Sequence, residues 1–216
     1  MGSTQNGFTL WELMTAVVVA GIVLGLGVPS FMEFQRNSAM TAAANDFLSA
    51  VLMARTEAVK RQVPVTLCAT PDSAADPPAC QAAGSNGAFV VFVDENGNGD
   101  ATDATDGNAE VDADERVLLR REAPGGAIEV WADSGYVAFA ASGFPRRATG
   151  HADESATIVL FCDDRGNRPA AGGASSARAL RIAGTGRGAV RQEVAEVTSA
   201  ADELLDAGVA VDCPGP

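Results

Sequence analysis

The chain has 216 residues, 47% of them hydrophobic, enough for one ordinary domain with an appendage and too apolar for wholesale disorder. Lys and Arg number 15 against 28 Asp and Glu, a net charge of −13. This excludes a general affinity for polyanions and leaves only a local basic patch for any such contact. The single histidine, His151, excludes His-rich metal centres and leaves ordinary acid–base catalysis without its usual residue, so the chain reads as a non-enzyme with no catalytic residues.

Residues 8–28 form an apolar run whose one charge is Glu12. At about 1.5 Å per helical residue, the run matches a bilayer's hydrocarbon core of roughly 30 Å. A buried helix of a soluble core rarely stays apolar all round for so long. A cleaved secretory signal fits poorly, because the leader has no Lys or Arg and only Val28-Pro29-Ser30 ends the run. Glu12 is the exception to explain, since a carboxylate within a membrane span needs a partner. None lies nearby in the chain, which points to a positive group on another molecule.

Gly7-Phe8-Thr9-Leu10-Trp11-Glu12 resembles the prepilin motif of type IV pilins and type II secretion pseudopilins. In that family a dedicated peptidase cuts after the glycine on the cytoplasmic side and methylates the new N-terminus, and the fifth mature residue is glutamate. The resemblance implies cleavage between Gly7 and Phe8, N-methylation of Phe8, and a role for Glu12 in assembly. Pro29 falls where such helices commonly carry a proline, and is expected to kink or loosen the helix. Two positions depart from the pattern: the leader lacks a basic residue, and Trp11 replaces a more common aliphatic residue.

From residue 30 to 62 the pattern becomes amphipathic, with an expected core stripe of Phe47, Leu48, Val51, Leu52, Ala58 and Val59. Beyond Pro64, strand-like runs occur at 64–68, 88–93, 116–120, 127–132, 136–141, 156–162 and 178–183, with a short one near 188–191. One long helix followed by several strands predicts an α+β fold, with the helix packed on antiparallel strands. The expected organisation is a leader (1–7), a transmembrane and assembly segment (8–29), an amphipathic helix half (30–62), a β-rich periplasmic head (63–191) and an acidic tail (192–216). The order of landmarks is similar to that of FimT/GspH minor pilins and pseudopilins. These are the helix end Ala54–Ala58, the segment Val63–Cys68, the run Gly87–Gly99, then Phe139–Gly143 and a late Gly186-Arg187.

The four cysteines, Cys68, Cys80, Cys162 and Cys213, allow three pairings. Cys68–Cys80 and Cys162–Cys213 is the favoured one, the second bridge pinning the tail. Residues 94–115 hold nine acids and no base, and Asp94-x-Asn96-x-Asn98-Gly99 opens like an EF-hand calcium loop. Asp100 could add an oxygen, but the closing glutamate is missing because Thr105 stands twelfth. The alternative is a solvated turn-rich loop. No other cofactor is indicated. Residues 165–191 are the reverse, with six arginines and no acid, and Gly172–Ser176 reads as flexible loop.

Of these arginines Arg178, Arg181, Arg187 and Arg191 are candidates for DNA phosphates, because FimT-type pilins bind DNA through a late Gly-Arg-x-Arg motif. Here Ala189 follows Gly186-Arg187-Gly188, and the second arginine is displaced to Arg191. The alternative is a basic face that pairs with a neighbour's acids. The family resemblance implies an inner-membrane, single-pass protein with a periplasmic head. Its expected partners are other pilins or pseudopilins and the prepilin peptidase/methyltransferase, with nucleic acid as the less favoured one. The expected function is assembly or tip formation in a type IV pilus. DNA uptake and an H-type minor pseudopilin of a type II secretion system are the alternatives.

Overall fold

The computed structural model describes residues 7–81, 87–95, 106–125, 127–169 and 173–213. The chain divides into two compact units, Met1–Ser38 and Ala39–Pro216. A single helix, α1 (Leu10–Arg61), contributes to both. Its end is signalled locally: Lys60 and Arg61 sit in the last turn, Gln62 takes a positive φ of 60°, and Pro64 follows.

The second unit is α+β. Eight strands follow α1: β1 (Val65–Ala69), β2 (Phe89–Val93), β3 (Val117–Arg121), β4 (Glu129–Ala132), β5 (Tyr136–Phe139), β6 (Ile158–Cys162), β7 (Ala174–Ile182) and β8 (Gly188–Glu193). They form two antiparallel sheets of four, ordered β3-β2-β1-β5 and β4-β6-β7-β8.

The C-terminal half of α1 joins the two sheets. Met40, Ala44, Phe47, Val51, Ala54 and Ala58 are buried at alternating spacings of four and three, the period of one helix face. They pack against Val65, Leu67, Phe89, Val91 and Phe139 of the first sheet and Val130, Val159, Phe161 and Leu180 of the second. Phe47 meets Phe89 edge-on at 5.0 Å between ring centroids and Phe161 at 5.9 Å, so one ring touches both sheets. The core stripe is rotated from the expected one: Leu52 and Val59 are 43% and 44% exposed, and alanines take their place.

The other face of each sheet is also covered. Val90, Phe92, Tyr136 and Ala138 pack with Ala109 and Ala148, while Trp131, Ile158, Leu160 and Ala179 pack with a second helix, α2 (Val194–Asp206). Burial on both faces explains why β2 and β6 are apolar at every position.

Two sequence expectations change here. The segment read as an acidic tail contains α2, which docks through Val197, Ala200 and Leu204. The segment read as a flexible loop is partly strand, with β7 beginning at Ala174; Gly172 lies outside the described residues. Buried hydroxyls hold it in place: Ser175 Oγ donates to Asn167 Oδ1 at 2.6 Å, and Ser176 Oγ donates to the Gly166 and Arg168 carbonyls.

Candidate functional site

Thr9 precedes the first helical residue, Leu10. The Glu12 N–H donates to Thr9 Oγ1 at 3.3 Å, and Glu12 Oε2 accepts from the Thr9 N–H at 3.0 Å and from Thr9 Oγ1 at 2.9 Å. This reciprocal arrangement is a capping box, which satisfies amides that a helix start leaves open. Glu12 therefore has a local partner that the sequence reading missed. The signal was present as Thr-x-x-Glu ahead of an apolar run. Phe8 is 84% exposed, and a side chain at Gly7 would meet no atom within 4 Å. The large apolar side chains of this helix half, from Leu10 through Val28, are exposed, and its most apolar 18-residue window has a mean hydropathy of 2.1. The helix is thus long and apolar enough to cross a membrane. Pro29 lies inside it and removes one backbone donor.

The arginines expected to act together have different environments. Arg178 is only 6% exposed. Its guanidinium donates to the Ser175 and Ala177 carbonyls at 2.5 and 2.9 Å and to Thr41 Oγ1 at 3.2 Å. Burial, and then the charge of Arg165, lower its pKa. This removes it from an exposed phosphate-binding surface, because it is buried and bonded within the protein to two backbone carbonyls and the Thr41 hydroxyl. Arg181 donates to both Glu203 carboxylate oxygens at 2.9 and 2.7 Å and to Ser199 Oγ, and lies 3.9 Å from Glu196. The hydrogen bonds from Arg181 and Ser199 pull the Glu203 carboxyl down to about 2. Arg181 thus fastens α2 to β7, and Arg165 pairs with Asp163 at 2.7 Å.

Arg187 and Arg191 are exposed, with no side-chain partner among the described residues. Arg187 ends a tight turn in which the Gly186 N–H donates to the Ala183 carbonyl at 2.7 Å and the Ala183 N–H to the Arg187 carbonyl at 2.9 Å. Gly186 has a φ of +75°, and a Cβ there would lie 2.9 Å from the Gly143 carbonyl oxygen, so the turn requires glycine. Arg191 pairs with Ala179 across β8 and β7, which places it on the α2 face of that sheet.

The acidic segment is only partly described. Asn96, Asn98 and Asp100 lie outside the described residues, whereas Asp94 is completely buried. Asp94 Oδ2 accepts from Thr66 Oγ1 at 2.5 Å and the Ala109 N–H at 3.1 Å. Burial pushes its carboxyl up, against these hydrogen bonds and the charge of Arg146. Glu115 is 9% exposed, and Glu115 Oε2 accepts from the Asp112 N–H at 3.0 Å. Burial pushes its carboxyl up to about 8, with the charges of Asp94, Asp112 and Asp106 acting in the same direction. Among the described residues, no three His, Cys, Asp or Glu side chains form a metal-ligand group.

Disulfides join Cys68 to Cys80 and Cys162 to Cys213. The first closes a short loop beyond β1, and the second ties β6 to the segment after α2. Their separations of 12 and 51 residues correspond to about 3 and 4 kcal/mol in the chain-entropy picture. His151 lies in an open cleft of 690 Å³ with Trp131, Tyr136 and Asp153. Its ring packs edge-on to Tyr136 at 5.0 Å. The Tyr136 hydroxyl donates to the Asp153 carbonyl at 2.6 Å and accepts from the Ala148 N–H at 3.0 Å. Both polar functions of that hydroxyl therefore hold the 148–153 loop.

Residues 43–186 match the family model described as type II transport protein GspH. Among solved structures, the type IV minor pilin FimU of Pseudomonas aeruginosa (strain PAO1) is similar at 15% identity and a TM-score of 0.42, over 74% of this chain and 92% of that one. No curated protein matches.

Proposed function

The chain belongs to the GspH family of type II transport proteins, and on that premise we propose that it is a minor pilin or pseudopilin. In this reading it is made as a precursor and held in the inner membrane by residues 8–29, with its β-rich head in the periplasm. The prepilin peptidase cuts between Gly7 and Phe8 and methylates Phe8, and the mature subunit joins the tip or priming complex of a pilus-type filament. The observation that carries this reading is the start of α1. An unobstructed Gly7 is followed by a capped helix whose large apolar side chains from Leu10 through Val28 are exposed. Such a surface is costly in water and suits lipid or a bundle of like helices.

DNA capture is the second reading, and the exposed Arg187 and Arg191, without a side-chain partner among the described residues, favour it. It is narrower than the sequence suggested, because Arg178 and Arg181 are committed elsewhere.

Intact-mass measurement of the membrane-extracted protein from its native host tests the main reading. The expected product has lost residues 1–7 and gained one methyl group on Phe8. Gly7→Val should remain at precursor mass, because a branched side chain replaces the residue that has none before the cut. An unprocessed wild-type protein in that host overturns the assignment.

A further inference from the structure

Among the described residues, two buried side-chain oxygens have no hydrogen-bond partner: Asp94 Oδ1 and Glu115 Oε1. They belong to carboxylates at the same end of one strand pair. The Val93 N–H donates to the Arg116 carbonyl at 2.9 Å, so Asp94 and Glu115 flank the last rung of β2 against β3. Each carboxylate has one oxygen held by donors and one left without any. Thr66 and Ala109 hold Asp94 Oδ2, and Asp112 holds Glu115 Oε2. A buried carboxylate oxygen without a partner is costly, and two such groups acting on each other are more so. Asp106 and Asp112 add to the negative field, and Arg146 offsets part of it at Asp94.

The sequence around Asp94 opens like a calcium loop but has threonine where the closing glutamate belongs. In the fold, Glu115 stands beside the first-position aspartate without being twelfth in the chain. A hard divalent cation would satisfy both unpartnered oxygens at once, with backbone carbonyls and water completing its shell.

We propose that Asp94 and Glu115 are the opening and closing carboxylates of a calcium site, Glu115 taking the place of the missing twelfth-position glutamate. The site does not depend on the pilin reading, and its test is independent of processing or assembly.

The test uses the full chain in detergent, stripped with EGTA and titrated with calcium chloride by calorimetry and thermal melting. The expected result is one saturable site. The melting temperature should rise by roughly 5–10 °C at a hundredfold excess over Kd. Glu115→Gln should weaken binding about tenfold or more. Its calcium-free melting temperature should stay close to that of the parent, because glutamine replaces a carboxyl that burial already holds largely protonated at neutral pH. Absence of saturable heat together with superimposed melts overturns the proposal, and leaves a proton rather than a cation between the two carboxylates. Undiminished calcium affinity in Glu115→Gln overturns it equally.

Discussion

Glu12 shows how one side chain can satisfy two demands. In the isolated chain Glu12 Oε2 is occupied by Thr9, which eases the cost of a carboxylate at the edge of an apolar helix. In a filament, the methylated amine of Phe8 would remain a cation. Staggering one subunit axially against a bundle of such helices could bring that cation to a neighbour's Glu12. A charge pair in a medium of low dielectric is far stronger than one in water, so the pair would select a single axial register. Two substitutions separate the roles. Glu12→Gln keeps a capping-box residue and removes the charge, whereas Thr9→Ala removes the cap and keeps the charge. We expect Glu12→Gln to be inserted and cleaved but poorly recovered with the other pilins, and Thr9→Ala to be recruited normally. Co-purification of processed Glu12→Gln at wild-type levels would remove the register role. The apolar run that became the first half of α1 was legible because its residues are contiguous. The environments of Arg178 and Glu115 were not, because Thr41 and Asp94, distant in the chain, meet them only after it has folded.

At the scale of elements, the strands were easy to read and α2 was not. Runs such as Ile158–Cys162 are apolar throughout because both faces of the sheet are covered, so composition alone marks them. In α2 the buried positions Val197, Ala200 and Leu204 keep helical spacing, but acids and alanines surround them and the segment reads as a solvated tail. The stripe on α1 was misjudged for a related reason. Leu52 and Val59 looked like core and Ala54 did not, yet the buried face runs through Ala54 and leaves the two larger side chains at its exposed edge. The pH behaviour of α2 follows from its clasp. Glu203 titrates at about 2, below its ordinary value of 4.5, so its contribution is present above pH 4.5 and is lost as pH falls toward 2. The pair is partly exposed, so the effect is below about 1 kcal/mol. Trp131, buried beneath α2, should report it as an acid-induced emission change in a Trp11→Phe background. Glu203→Gln should abolish the part of that change that falls between pH 4.5 and 2, and a transition of unchanged size would assign it to other carboxylates.

For the whole molecule, a charge of −13 means that any nucleic acid approaches against the overall field. If Arg187 and Arg191 hold phosphates, the full chain should bind duplex DNA weakly at low salt. Replacing both by Ala should lower the slope of log affinity against log salt by about 2. Undetectable binding at low salt would leave contacts with other proteins as the role of this surface. The disulfides impose an order in time. A chain delivered N-terminus first can close Cys68–Cys80 soon after Cys80 emerges, while β2 and everything beyond it is still to come. Cys162 must wait for Cys213, and in that interval it is a free thiol open to exchange with any thiol or disulfide it meets. Early closure of the short loop therefore acts as a safeguard, because it withdraws Cys68 and Cys80 from exchange before Cys162 appears. A delay at that first step would give the later thiols a choice of partners that the native order denies them.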